Sequence, residues 1–239
     1  MNKTTILSMI AGLIMTYHAA KADDFTKGMK GQTNEQADMR STYSINEKSL
    51  VSRTQNLIGK YWDKKIWAFV NVPYKSVNGS QGLGDISAGI GPRCDIDSLH
   101  VLTYAGVNIP TGNFTQGLGN GRVDGKAGIY ATYFNGQKNF DVDLANEYTM
   151  TGENHKGINL PNEFYSGIFV AKGITPQLRL GAGLTSTFKG SGDNEVKSRL
   201  GVRWTFSKKF HMEILYDKTL GRKNIPYSNS VQFIARCNI

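Results

Sequence analysis

Outside the first 22 residues the chain has three histidines, His100, His155 and His211. These are the side chains best suited to act as bases near neutral pH. Ser98 precedes His100 by two residues, so on a strand both side chains point the same way. Such a pair could cleave an ester if the histidine sat within hydrogen-bond reach and a third group oriented it. His211 and Glu213 share a parity in the same manner. Neither pair lies in an H-x-S pattern, and no spacing of His, Cys, Asp and Glu suits a zinc site. A histidine satisfied by a neighbour is the commoner explanation. The sequence therefore predicts no enzyme, no metal and no cofactor. Cys94 and Cys237 are a candidate disulfide, provided the fold brings their Cα atoms within about 7 Å.

The charged residues follow another logic. They recur at every second position, opposite an apolar parity. Asp124 and Lys126 alternate with Val123, Gly125 and Ala127, and Asp141, Asp143 and Glu147 with Phe140, Val142 and Leu144. Arg179 falls between Leu178 and Leu180, while Lys197, Arg199 and Arg203 oppose Val196, Leu200, Val202 and Trp204. Glu213 continues the series. Period two means a strand with one apolar and one polar face. The polar parity holds too many charges for a dry core. The assignment is apolar outside and polar inside, with these residues lining a lumen. Two uses are open to them: an acidic and a basic wall that orient polar solutes in a pore, or cross-strand ion pairs that fill and stiffen the barrel. The second is the commoner.

Twelve strands follow from the pattern: 39–45, 52–61, 65–74, 84–93, 98–109, 123–134, 139–150, 163–172, 178–188, 195–206, 209–217 and 228–236. Most run ten to twelve residues, nearer the roughly 9–11 of a tilted membrane strand than the usual 5–6. Short turns alternate with long polar links. An even count with that asymmetry predicts an all-β fold, a closed antiparallel transmembrane β-barrel of about 12 strands, with short periplasmic turns and longer extracellular loops. Its backbone diameter would be roughly 24 Å, leaving a lumen of about 10–14 Å. Lys60 and Lys172 could face either side.

Composition agrees. The 239 residues include 27 Gly, 11 Phe, 11 Tyr and 3 Trp, and mean hydropathy is −0.35. That value argues against a helical membrane protein and says nothing against a barrel. Aromatics fall at strand ends. Tyr61, Trp62, Trp67, Phe134, Phe140, Trp204, Phe206 and Phe210 lie near the short turns, and Tyr43, Tyr74, Phe164, Phe188, Tyr216 and Tyr227 at the other end. Two headgroup-level girdles are expected from them.

Residues 1–22 have the layout of a secretory leader: Lys3, the apolar run Ile6 to Met15, and Ala20-Lys21-Ala22 as cleavage site. The net charge of +9 falls to +7 when Lys3 and Lys21 leave with it. Residues 23–38 form a polar segment, either a tail or a plug, and 39–239 the barrel. Lys75, Lys156, Lys189, Arg222 and Lys223 sit in predicted loops, where lipopolysaccharide phosphates are candidate partners. No dense basic run interleaved with aromatics is present, so nucleic-acid binding is not expected.

One segment reads Gly82-Leu83-Gly84-Asp85-Ile86-Ser87-Ala88-Gly89. A second reads Val107-Asn108-Ile109-Pro110-Thr111-Gly112-Asn113, followed by Gly117-Leu118-Gly119-Asn120-Gly121-Arg122. Together they resemble the outer-membrane family named for the meta-pathway of phenol degradation, over residues about 66–134. The resemblance implies an outer-membrane β-barrel, in outer-membrane lipid, for uptake of small aromatic or hydrophobic molecules. It carries no catalytic residues. Taken by themselves, the motifs put Asp85 on the inward parity at the rim. Pro110 ends a strand by removing a donor. The glycines Gly112, Gly117, Gly119 and Gly121 let the following loop fold tightly inward or lie open on the surface. The expected function is a passive channel. The alternative is a non-conducting structural barrel with a charge-filled lumen.

Overall fold

The alternating segments all become strands. The computed structural model describes residues 34–45, 50–63, 65–77, 79–153, 161–207, 209–224 and 229–238. The strands are β1 (Asn34–Ile45), β2 (Leu50–Trp62), β3 (Ile66–Val77), β4 (Ser80–Leu83), β5 (Ile86–Ile96) and β6 (Leu99–Ile109). After them come β7 (Asp124–Asn135), β8 (Phe140–Met150), β9 (Glu163–Gly173), β10 (Leu178–Lys189), β11 (Asn194–Ser207), β12 (Phe210–Lys223) and β13 (Asn229–Asn238).

Apart from β4 and β5, which both pair with β3, each strand pairs antiparallel with its sequence neighbours, and β1 pairs with β13, so the sheet closes on itself. β4 is not an extra stave. It pairs with the outer part of β3 (Tyr74–Val77), while β5 pairs with the inner part (Ile66–Asn71). β4 and β5 are one stave broken at Gly84-Asp85, which makes a twelve-stave barrel. The expected strand count therefore holds. β1 starts at Asn34, so part of the segment assigned to the polar lead-in is strand, paired with β2 from Asn34 and with β13 from Gln36. Residues 1–33, including the segment expected to be a leader, lie outside the described residues, as do His155, Lys156 and Tyr227.

The exterior is apolar. Ile90, Ile129, Leu144, Ile168, Leu184, Leu200, Ile214 and Phe233 all stand outward and exposed. Their sequence neighbours on the other parity are polar and turned in: His100, Asp124, Asp141, Thr185, His211, Asp217 and Arg236 are buried. Such inversion of the usual soluble pattern matches a wall whose solvent is hydrocarbon.

Most of the expected girdle residues do stand outward. Tyr61, Trp204 and Phe206 are exposed at the short-turn end, and Tyr74, Phe164, Phe188 and Tyr216 at the long-loop end. Trp67 and Phe134 correct the expectation. Both are buried inside the barrel. Trp67 donates its Nε1–H to the Thr103 carbonyl at 2.8 Å, and Phe134 lies under the Arg179 guanidinium. Parity decides this: Trp67 follows the outward Ile66, and Phe134 the outward Tyr133. Position near a strand end says nothing about which face a ring takes. Lys172 stands outward beside the short turn after β9, between inward Ala171 and Gly173, and Lys60 shares the inward parity of β2.

The turns have local causes. Asp63 accepts the backbone N–H groups of Lys65 and Ile66 at 2.7 and 2.8 Å, closing the β2–β3 turn. Those two donors hold its carboxyl below the usual range.

Candidate functional site: the lumen wall

Inward-facing residues fall into three groups. Near the long loops, Asp85 is 5% exposed and its carboxylate accepts the Gly112 N–H at 3.0 Å and the Asn120 N–H at 2.6 Å. The Thr111 hydroxyl donates to the Gly84 carbonyl at 2.7 Å and accepts the Ile86 N–H at 3.0 Å. The two motifs singled out in sequence are thus each other's partners. The loop they close carries a 3₁₀ turn, Phe114–Gln116, capped by Asn113 and ended by Gly117 at φ +72°. Gly121 also takes positive φ. Leu118 is only 2% exposed and packs where a side chain at Gly82 or Gly84 would stand. Gly112 and Gly119 are required because the loop doubles on itself there: a Cβ on Gly112 would meet the Leu118 carbonyl at 2.7 Å. Pro110 ends β6 as expected. The loop is therefore strapped to the inner wall rather than open on the surface.

Asp124 lies beside the same loop. It pairs with Arg122 at 2.6 Å and accepts the Gly152 N–H at 3.0 Å, holding the two loops that flank β7 and β8.

An aromatic cluster covers one wall. Trp67 and Phe69 of β3, Tyr104 of β6 and Tyr130 of β7 have ring centroids 5.4 to 6.0 Å apart, mostly edge to face. The rings lie across glycines of the neighbouring staves. A Cβ on Gly89 would meet Phe69 at 2.6 Å, and one on Gly128 would collide with Tyr104. Through the gap over Gly128, Tyr104 reaches two staves to hydrogen-bond Glu147. Glu147 also takes Lys126 at 3.1 Å. Phe169 of β9 repeats the device on another wall, lying over Gly181 and Gly201 beside Leu215.

Most of the remaining charges pair. Arg199 binds Asp217 through two hydrogen bonds of 2.6 and 3.0 Å, with Ser230 and Gln232 completing the carboxylate. Lys197 meets Glu195 at 2.9 Å, and Asp143 takes the Thr132 hydroxyl at 2.6 Å. Towards the short turns, Arg179 reaches over Ala171 of β9 to Asp141 at 2.8 Å. Arg203 and Arg236 share Glu213 at 3.4 and 4.0 Å. Arg93, His100 and Asp95 form a separate knot, with Arg93 also donating to the Asp63 carbonyl. His211 lies 3.2 Å from the Thr205 hydroxyl. Among the described residues no group of three metal-ligating side chains converges.

The residues expected to line the lumen face in, and most charges of the acidic and basic walls are paired, while Asp85 is held by backbone N–H groups and Asp143 by Thr132. The loop lysine Lys189 is likewise paired, with Glu163 at 2.9 Å. The disulfide is corrected: Cys94 and Cys237 are both thiols. Cys94 follows inward Arg93 and Cys237 follows inward Arg236, so both point outward, and β1, β2 and β3 separate their strands. Sequence reasoning missed the aromatic cluster. Its signal was present as large rings on the inward parity (Phe69 opposite Gly89, Tyr104 opposite Gly128), a pairing invisible until register is known.

The barrel is similar to several solved structures. An outer membrane channel from Pseudomonas putida F1 matches with TM-score 0.66 at 13% identity, covering 94% of this chain and 98% of that one. The NanC porin matches at 0.62 and 12% identity, covering 85% and 100%. The KdgM porin matches at 0.61 and 7% identity, covering 85% and 99%. At these identities the likeness concerns the fold. No match is found among the curated proteins. The family described as "Putative MetA-pathway of phenol degradation" matches over residues 23–233, nearly the whole barrel, and the chain belongs to it.

Proposed function

We propose that the protein is an outer-membrane channel for passive passage of small molecules, with a preference for those carrying an aromatic or hydrophobic body. The observation that carries this reading is the Trp67–Phe69–Tyr104–Tyr130 cluster on the lumen wall. A barrel stiffened by charge alone has no need of four rings inside. Trp67 and Tyr104 are locked by packing, while Phe69 and Tyr130 keep part of their surface accessible. A flat apolar solute could stack there, and the polar wall would carry its hydrophilic group. The apolar exterior and the similarity to solved channels and porins support the membrane setting, with lipid and lipopolysaccharide around the wall. Export by a cleaved leader at residues 1–22 belongs to the same proposal.

Liposome swelling tests it. Phenylalanine and leucine are close in size and neither crosses lipid readily. Proteoliposomes should swell in both, and faster in phenylalanine. The combined Phe69→Ala and Tyr130→Ala variant should lose the preference while still swelling. Absence of swelling and of conductance steps in a planar bilayer would sink the channel.

A second reading has its own observation. The paired charges Arg199–Asp217, Lys126–Glu147 and Arg179–Asp141 fill much of the wall. A non-conducting structural barrel would show the same pairs, and the bilayer experiment separates the two.

A further inference from the structure

The strand charges near the long loops are sorted by sign. Asp124, Glu147, Glu195 and Asp217 are turned into the lumen and paired there. Two basic side chains of the same end, Arg53 of β2 and Lys218 of β12, take the outward parity and are exposed. Arg53 is opposite Tyr43, which shares its face of β1 with the outward Met39. Lys218 follows the outward Ile214 and Tyr216 along β12. Among the described residues, no Asp or Glu takes the outward parity of a strand at that end, and neither cation forms an ion pair.

Arg53 is aimed. Its guanidinium carbon lies 5.4 Å from the centre of the Tyr43 ring, a cation–π contact. The Tyr43 ring is itself held edge to face by the outward Phe233, with centroids 6.0 Å apart. Tyr43 and Tyr216 both pair with Val231 of β13. From β2 to β12 the face therefore reads Arg53, Tyr43, Val231, Tyr216, with Lys218 two residues beyond Tyr216 toward the loop. Three strand spacings separate the two cations, about 14 Å across the sheet. An outward arginine is costly at the bilayer midplane and nearly free at the interface. There it faces lipid headgroups, and a guanidinium grips a phosphate in two points.

We propose that this face is a docking site for lipid A, the phosphorylated anchor of lipopolysaccharide. Arg53 takes one phosphate, Lys218 the other, and the acyl chains run along Val231, Phe233 and Ile214. Lipid A carries a phosphate at each end of a disaccharide, whereas phosphatidylglycerol brings a single one. Two cations set apart across a pair of tyrosines fit the first. The inference rests on the outer-membrane setting of the proposed channel and names the lipid that setting supplies. Conduction plays no part in it.

The test uses the full barrel, refolded in detergent micelles, with diphosphoryl lipid A as probe and monophosphoryl lipid A and phosphatidylglycerol as comparators. Native mass spectrometry counts the lipids retained as each is titrated. One diphosphoryl lipid A should bind per barrel, about tenfold or more tightly than either comparator. Arg53→Gln should weaken it about tenfold, the loss expected for a charge-assisted hydrogen bond. Lys218→Gln should act in the same direction, and it serves if the Arg53 variant fails to give a heat-modifiable barrel. Arg53→Lys keeps the charge and loses the fork, and should fall between. Lys172→Gln, outward at the short-turn end, should leave binding unchanged. Equal binding of lipid A to wild type and the glutamine variants would overturn the site, as would equal affinity for phosphatidylglycerol. A barrel that binds lipid A without conducting would retain the site and refute the channel. A wild-type barrel that fails to insert into phospholipid vesicles would refute the membrane setting and the site with it.

Discussion

Asp85 shows how much one residue can hold. Its carboxylate bridges the stave break at Gly84 to both ends of the Pro110–Val123 loop, through Gly112 and Asn120. Hydrogen bonds to an ionised group contribute about 1.5–3 kcal/mol each. Asp85→Ala removes both acceptors, so the loop should open far more often. Arg122, only 8% exposed in the closed loop, then becomes reachable. Trypsin cleavage after Arg122 in the folded barrel should accelerate by more than about tenfold, because proteolysis tracks the open population. Asp85→Asn keeps one acceptor oxygen and should fall between. Cleavage of the alanine variant at the wild-type rate would show that Leu118 packing alone holds the loop. The sequence marked Asp85 and the glycines around it as a unit. It could not show that the two segments bond each other, since 25 to 35 residues separate the partners.

At the scale of elements, glycine and aromatic abundance have one cause. Inward rings need room, and a ring that lies flat across the next stave needs no Cβ beneath it. Gly91 is the tightest case. It faces Trp67 in register, and a Cβ there would stand 2.6 Å from the Tyr104 Cα and collide with the Thr103 carbonyl. These are backbone atoms, so β5 and β6 would have to part. Gly91→Ala should cost about 1–3 kcal/mol, the usual range for overpacking. Gly59 of β2 has nothing within 4 Å of its Cβ position, and Gly59→Ala should be nearly neutral. Urea midpoints of the refolded variants compare the two, and equal midpoints would refute the packing argument. Strand identity and parity were legible from the chain because period two is local. Asp124, Asp143 and Arg203 all face in, as their parity requires. The girdle assignments of Trp67 and Phe134 failed because they rested on position along the strand instead of parity. The ring cluster depends on register between β3, β5, β6 and β7, which no single strand encodes. The break at Gly84-Asp85 was read as the start of a strand, yet β4 carries the stave four residues beyond it.

For the whole molecule the central fact is inversion: the apolar parity faces out and the paired charges face in. Closure carries this round the wall, since β1 meets β13 and joins the two ends of the sheet. Leu184 and Thr187 of β10 put the inversion to a direct test. Leu184 stands at the middle of the strand and is 49% exposed on the outside. Were the exterior bathed in water, a charge there would be harmless. In a bilayer, an arginine or lysine near the midplane costs about 2–4 kcal/mol. Thr187 faces the lumen directly opposite Glu195, so a cation placed there can share that carboxylate with Lys197. Leu184→Arg should therefore lower stability by about 2–4 kcal/mol in lipid vesicles, while Thr187→Lys should change it by less than about 1 kcal/mol. Reversible urea unfolding in vesicles measures both. A tolerated arginine at 184 combined with a damaging lysine at 187 would mean that the apolar face packs against protein and the polar face against solvent, and the membrane setting would have to be abandoned.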